Sequence, residues 1–427
     1  MPRVVDWGVV AVFAIVYLGM FLGGLPRVKL DRSGVALLGA IAMIALTGMP
    51  IEEAARAVDL PTIVLLFAFM VVSAQMRLGG FYTEVARAVG ALPLARNGLL
   101  AALIAVAGLL SAVFSNDIVC LAMTPVVAQL VIARRLPPLP FLVGLACAAN
   151  IGSAATLIGN PQNMLIGSLL KLHFADYLRV ALVPVALALL GLWAGLAFAT
   201  RPRANEGPAP AASTPASTST PAALVAEDSP PFDRVQTIKG LVVAGTLMMV
   251  FLFTDWRRDV AALVGAAVLL LSRRLHSAQV MGFVDWPLLL LFMGLFVVNH
   301  AFQGTGLAHA AVAWLGSAGV QVREPGTLLV LGAVLSNLVS NVPAVMLLLP
   351  HLGEPASIGT QQAGMLLALA STFAGNLLLV GSIANLIVVD LADRAGIRID
   401  WRAHARIGLP VTLASLALVW GCHIWRG

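Results

Sequence analysis

Residues 111–125 read SAVFSNDIVCLAMTP, and residues 336–350 read SNLVSNVPAVMLLLP. Laid over each other without a gap, they match Ser111 with Ser336, Ser115 with Ser340, Asn116 with Asn341 and Pro125 with Pro350. Each stretch lies within an apolar run, near 98–132 and 326–351, with Ser-Asn at its middle. About 20 apolar residues cross a bilayer, and these runs fit poorly as single crossings. Both are read as re-entrant hairpins, whose broken backbone survives at membrane depth only when protein or a watery cavity surrounds it.

The match extends outward from the hairpins. DLPTIVLLFAFM from Asp59 parallels DWPLLLLFMGLF from Asp285, and GNPQN from Gly159 parallels GSIAN from Gly381. The offset drifts only from 226 to 225 to 222 across these anchors, which marks an internal repeat. Full spans are expected near 8–24, 33–49, 61–77, 139–170 (interrupted), 178–199, 238–254, 259–273, 285–301, 362–391 (interrupted) and 406–424. Residues 204–231 are rich in Pro, Ala, Ser and Thr, a composition that behaves as a disordered linker. It separates a first repeat, 1–203, from a second, 232–427.

Five spans per half is an odd number, so the second half enters the membrane upside down relative to the first. With the N-terminus outside, the inner loops hold most of the 26 lysines and arginines, as the positive-inside rule asks. Both termini are then outside and the linker is cytoplasmic. The expected fold class is an all-α membrane protein built of two inverted repeats. Each repeat has five transmembrane helices plus one re-entrant hairpin, with broken helices at the midplane, an arrangement typical of secondary transporters.

Composition agrees with this and excludes other classes. Hydrophobic residues are 60% of the 427 and charged residues 11%, too little polar surface to coat a soluble globule. The net charge of +6 is scattered in ones and twos between apolar runs, so a nucleic-acid partner is not expected and the lipid bilayer is. Cys120 and Cys147 sit inside apolar segments without a CxxC or Cys/His cluster, as small buried hydrophobes. No GxSxG, HExxH or Walker A pattern is present, so no enzyme is expected. His300 and His309 follow a span and are expected at an aqueous surface; Glu52, Glu53 and the segment from Phe81 look interfacial.

Chemistry is expected at the chain reversals. Ser115-Asn116-Asp117 and Ser340-Asn341-Val342 place short polar side chains where backbone amides and carbonyls lack partners. Asp117 is the one acidic residue deep in an apolar stretch, where a carboxylate is costly and marks an ion or proton pathway. Its counterpart is Val342, so only the first half offers this charge. The run NIGSAATLIGNPQN, from Asn150 to Asn163, interrupts a span with Gly159 and Pro161 and supplies the neutral oxygens of Asn160 and Asn163. Its mate holds Asn376, Gly381, Ser382 and Asn385. Such unwound segments coordinate Na⁺ through oxygens or aim helix N-termini at an anion. Helix capping by the Ser-Asn pairs and close packing by the small residues are the structural alternatives.

These residues resemble the ion transporter superfamily, which includes the divalent anion/sodium symporters, citrate permeases, arsenite pump membrane subunits and a class of sodium/proton antiporters. The likeness covers nearly the whole chain except the linker. It is nearest to bacterial citrate-transporter-like permeases of the cytoplasmic (inner) membrane, with arsenite pumps next. It implies ligand contacts on Ser115, Asn116, Ser340 and Asn341, and on Gly159, Asn160, Pro161 and Asn163. It implies Na⁺ or H⁺ as the coupling ion and no other cofactor. Na⁺ ligands are expected among Ser115, Asn116, Asn163, Ser340, Asn341 and Asn385, and the protein is expected to be a homodimer. In the dicarboxylate symporters the tip motif is Ser-Asn-Thr in both halves. Here Asp117 and Val342 replace the threonines, and GSIAN replaces the second Pro-containing loop. A fixed carboxylate repels a dianion unless it is protonated or paired, and Asn-Asp resembles the arsenite and antiporter branches. The expected function is secondary active transport of a small carboxylate or inorganic oxyanion coupled to H⁺ or Na⁺. The alternatives are arsenite or antimonite efflux, Na⁺/H⁺ antiport and, from another class, an ion channel.

Overall fold

The computed structural model describes residues 4–25, 29–199, 231–352 and 359–426. Most of the expected linker, 204–230, lies outside the described residues. Ten helices precede it: α1 Val4–Leu22, α2 Arg32–Thr47, α3 Ile51–Ala57, α4 Leu60–Leu78, α5 Phe81–Ala91, α6 Arg96–Val113, α7 Asn116–Ala133, α8 Pro138–Ser153, α9 Pro161–Leu169 and α10 Phe174–Ala199. Ten follow it: α11 Arg234–Phe253, α12 Arg258–Leu270, α13 Ser277–Met281, α14 Trp286–Gly304, α15 Leu307–Ser317, α16 Pro325–Val339, α17 Asn341–Leu348, α18 Thr360–Ala374, α19 Ile383–Arg394 and α20 Trp401–Arg426. Taken in order, each helix of the first set has a mate in the second. A two-residue ribbon, Gly24–Leu25 against Leu30–Asp31, is the only sheet among the described residues.

The repeat is visible in how the helices begin. Asp59 caps α4 by accepting from Thr62 N at 3.1 Å, and Asp285 caps α14 by accepting from Leu288 N at 3.0 Å. A proline follows two residues after each cap, where the missing N–H costs nothing. The repeat is equally visible in what is buried. The buried face of α2 is Val35, Ala36, Gly39, Ala40 and Met43; that of α12 is Ala261, Ala262, Gly265, Ala266 and Leu269, each 226 residues later.

Those faces pack on α1 and α11 of their own halves and also reach across to the other half. Helix α2 lies on α14 and α12 lies on α4, so each half contributes a helix to the other's core. In the same crossed manner α7 meets α19 and α9 meets α17. One hydrophobic core runs through both repeats. Its small residues let helix backbones approach closely, which drives association where no water is present to be expelled. Among the described residues, seven helices are long and apolar enough to cross a membrane. Exposed Leu182, Val183, Leu187, Leu190 and Phe198 on α10, and Val242, Met249 and Phe253 on α11, face outward as lipid-contacting residues do.

The hairpins meet the broken segments at the centre. Between α6 and α7 only Phe114 and Ser115 are non-helical, and Asn116 N donates to Gly159 O at 3.3 Å. Gly159 lies in the irregular stretch between α8 and α9. The first tip is therefore pinned to the break of the interrupted helix. Arm α6 lies on α8 through a glycine pair: a Cβ on Gly152 would fall inside the contact radius of Gly108 Cα and O.

Candidate functional site

Two tips and two breaks converge on a cavity of about 50 Å³. Its polar wall is Arg32, Asn116, Asp117, Gln162, Ser340, Asn341 and Ser382; Met20, Leu288, Leu291 and Val342 are among its apolar residues. A water needs about 10–15 Å³ on this measure, so the cavity has room for a small inorganic solute and none for a tricarboxylate.

Asp117 occupies the first turn of α7, where the helix's free N–H groups favour negative charge. Val342 stands at the matching place in α17 and lines the same cavity, so the charge asymmetry of the repeat is preserved inside it. Ser340 between α16 and α17 has φ 77° and ψ 159°, a conformation almost restricted to glycine. Ser115 at the first tip is relaxed, with φ −59° and ψ 129°. The second tip thus stores backbone strain that the first does not.

Behind the cavity lies a buried amide network centred on Asn150. Its Oδ1 accepts from Asn116 Nδ2 at 2.9 Å and Ser382 Oγ at 3.0 Å. Its Nδ2 donates to Asn376 Oδ1 at 3.0 Å and Asn385 Oδ1 at 3.1 Å. One side chain therefore ties the first tip to the break in the second repeat. Asn385 Nδ2 also donates to Gly375 O at 2.8 Å and Leu378 O at 3.1 Å. In the first break, Asn160 caps α9 by accepting from Asn163 N at 2.9 Å. Asn163 Nδ2 donates to Thr156 O at 2.9 Å and Tyr177 Oη at 3.0 Å. Thr372 of α18 donates to Asn163 Oδ1 at 3.4 Å and accepts from Asn160 and Gln162.

The residues singled out in the sequence thus divide into two groups. Asn116, Asp117, Pro161, Ser340, Asn341 and Ser382 line the cavity. Asn150, Asn160, Asn163, Asn376 and Asn385 stand behind it, holding the breaks in place. Ser115 is the N-cap residue of α7 and makes no side-chain cap bond. Gly159 and Gly381 serve close approach: a Cβ would meet Ser111 O at 2.7 Å in the first case and Asn337 Oδ1 at 2.8 Å in the second. Among the amide oxygens expected to hold Na⁺, those of Asn163, Asn341 and Asn385 accept hydrogen bonds from the protein. Asn116 Oδ1 does not: it is buried without a partner, as is Ser111 Oγ. Their mates Asn341 Oδ1 and Ser336 Oγ bond each other at 2.6 Å.

Sequence reasoning missed Arg32. It lies 85 residues before Asp117, and the crossed packing of α2 brings it to the cavity. A second, wider cavity of about 800 Å³ is lined by Asp59, Asn299, His300, Gln303 and Met346 among others. His300 Nε2 faces Glu53 Oε1 there at 3.3 Å. Buried Tyr17 touches a residue of each: its hydroxyl donates to Asn299 Oδ1 of the wide cavity at 2.9 Å and lies 3.5 Å from the carbonyl of Pro343, which lines the narrow one.

Comparison with known proteins agrees with this architecture. The citrate transporter family model matches residues 15–364. The chain belongs to the citrate transporter family. Within reach of this citrate transporter family member is the silicon efflux transporter LSI3 of Oryza sativa subsp. japonica, 31% identical, with 98% of this chain and 97% of that protein covered. The inner membrane protein YbiR of Escherichia coli (strain K12) is 30% identical over 82% of this chain and 83% of its own length. The putative transporter arsB of Dictyostelium discoideum is 23% identical over 92% and 87%. Among solved structures, the YdaH transporter of Alcanivorax borkumensis, described as having an unusual topology, shares the fold with a TM-score of 0.58. Its sequence identity is 16%, with 99% of this chain and 97% of that one covered. The protein is a multi-pass membrane transporter.

Proposed function

We propose that the protein is a secondary active transporter of a small inorganic oxyacid or its anion, driven by protons that Asp117 takes up and releases. The observation that carries this is the small cavity between the two hairpin tips, where Asp117 is the one carboxylate. The size of the cavity favours over citrate a silicon-type solute, as named for one relative, or the arsenite-type solute that the resemblance to arsenite pumps implies. Alternating access needs a site reachable from one side at a time, and the Tyr17 contacts stand between cavity and vestibule as a gate would. Both termini lie outside in this reading, and the 204–231 linker is cytoplasmic between the repeats 1–203 and 232–427. The protein assembles as a homodimer in the bacterial inner membrane.

The test uses purified protein in proteoliposomes under an imposed pH gradient, with arsenite and silicate as probes. Driven flux is expected in wild type. Asp117→Asn keeps the shape and removes the proton; it should abolish driven flux while keeping probe-induced thermal stabilisation. Normal flux with unaltered pH dependence in that variant would remove Asp117 from the mechanism. A second reading, Na⁺ coupling, is favoured by the unpartnered oxygens Asn116 Oδ1 and Ser111 Oγ. Flux that stops when choline replaces Na⁺ selects it.

A further inference from the structure

The repeat pairs Arg32 with Arg258. Both open the second long helix of their half, and the buried positions that follow them coincide at the same spacing of 226. Helix α12 begins with Arg258, whose Nη2 donates to Gly167 O at 2.8 Å near the end of α9. There it satisfies a carbonyl at a helix C-terminus, where positive charge is stabilised. Arg258 is a structural clasp between α12 and the broken helix.

Arg32 does something else. Among the described residues it forms no ion pair and no hydrogen bond, and its Nε is buried without a partner. It lines the cavity with Asp117 and the two tips. Arg32 is half-buried, and of its guanidinium nitrogens only Nε is sealed off without a partner, so the group is left free on the cavity wall to meet a charge carried by a solute. Asp117 shares the cavity but does not approach within ion-pair distance. Among the described residues no carboxylate pairs with it, so a solute that enters the cavity meets an uncommitted guanidinium.

We infer that Arg32 is a specificity-determining residue whose guanidinium holds a negatively charged oxygen of the transported solute. This rests on the transport reading above. It adds that the solute is bound as an anion, on a group that the first repeat has released from the clasp role kept by its mate. Arg32 supplies a fixed donor on one wall. Asp117, on another, accepts from a solute hydroxyl when ionised and donates when protonated. A solute with both an O⁻ and an O–H satisfies both walls at once.

The experiment compares wild type, Arg32→Gln, Arg32→Lys and Arg258→Gln in detergent. Thermal unfolding is followed without ligand and with two sets of probes at neutral pH. One set is anionic (bicarbonate, phosphate, sulfate); the other is arsenite and silicate, which are mostly neutral acids there. Arg258→Gln is expected to melt lower than wild type, because it breaks a clasp. Arg32→Gln is expected to melt no lower, because it removes an unpaired charge. It should weaken anion binding roughly tenfold or more and weaken binding of the neutral acids by clearly less. Arg32→Lys, which keeps the charge but not the fork, should fall between. Two results overturn the inference: a lower unliganded melting point for Arg32→Gln like that of Arg258→Gln, or equal anion responses in wild type and Arg32→Gln. Wild-type flux of arsenite or silicate in proteoliposomes is scored separately, so the transport reading can stand if Arg32 fails.

Discussion

Replacing Asn150 by alanine tests whether the buried amide network is what joins the two repeats. The wild-type side chain makes four hydrogen bonds, at 2.9, 3.0, 3.0 and 3.1 Å, and three of them cross from the first repeat to the second. Inside a membrane, interhelical hydrogen bonds are worth about 0.6 kcal/mol each and at most about 1.7 kcal/mol. The four together are worth about 2.4 kcal/mol. The substitution also strands buried groups on Asn116, Asn376, Ser382 and Asn385, each costing about 1–3 kcal/mol unless a water enters the vacated space. With one such water, a loss of about 3–4 kcal/mol is expected. Asn150→Asp separates the contributions. It keeps the acceptor used by Asn116 and Ser382 but turns an oxygen toward Asn376 Oδ1 and Asn385 Oδ1, so it should destabilise at least as much as alanine. Stability is read by reversible unfolding in mixed micelles, and coupling by a double-mutant cycle with Asn116→Ala. Residues that share a hydrogen bond couple by about 0.5 kcal/mol or more. Additivity of the two single variants to within about 0.3 kcal/mol, or an Asn150→Ala loss below about 1 kcal/mol, would refute the network's role.

Ser340→Gly should relieve about 1–3 kcal/mol of backbone strain, less about 0.5–1 kcal/mol of added unfolded-state freedom. Thermal unfolding should therefore show a gain near 1 kcal/mol, while transport falls because a hydroxyl leaves the cavity wall; a drop in stability would mean that the strained tip is held by that hydroxyl. Gly152→Ala forces a methyl group into the backbone of Gly108 and should cost more than about 3 kcal/mol or abolish folding. Gly191→Ala on α10, where a Cβ meets nothing within 4 Å, should be neutral or stabilising and serves as its control. Size-exclusion profiles and yields of the two variants decide the comparison.

Much of the architecture was legible because a bilayer narrows the choices. Backbone polar groups in lipid must be satisfied within helices, so apolar runs alone name the spans. The Asp-x-Pro starts at Asp59 and Asp285 and the Ser-Asn pairs at 115–116 and 340–341 recur at nearly constant offset. Two copies of one pattern therefore sufficed to order the helices and to locate both tips. The lone carboxylate at Asp117 was equally legible, because a charge among apolar residues needs no partner to be conspicuous.

The division of labour among the polar residues was decided by tertiary structure. Asn116 and Asn150 are of one residue type in similar surroundings in the chain, yet one lines the cavity and the other binds it together from behind. Which amide is spent on protein and which is left for a ligand depends on partners in the other repeat, and local pattern carries no record of them. Arg32 shows the same limit more sharply. In sequence it is one of three basic residues after the first span, explained by topology alone. Only the crossing of α2 onto α14 brings it to the cavity between the tips, on a wall shared with Asp117 but unpaired with it, while Arg258 is spent on Gly167. A repeat in sequence thus determined where equivalent residues stand. The packing of one copy against the other determined that two equivalent arginines do different things.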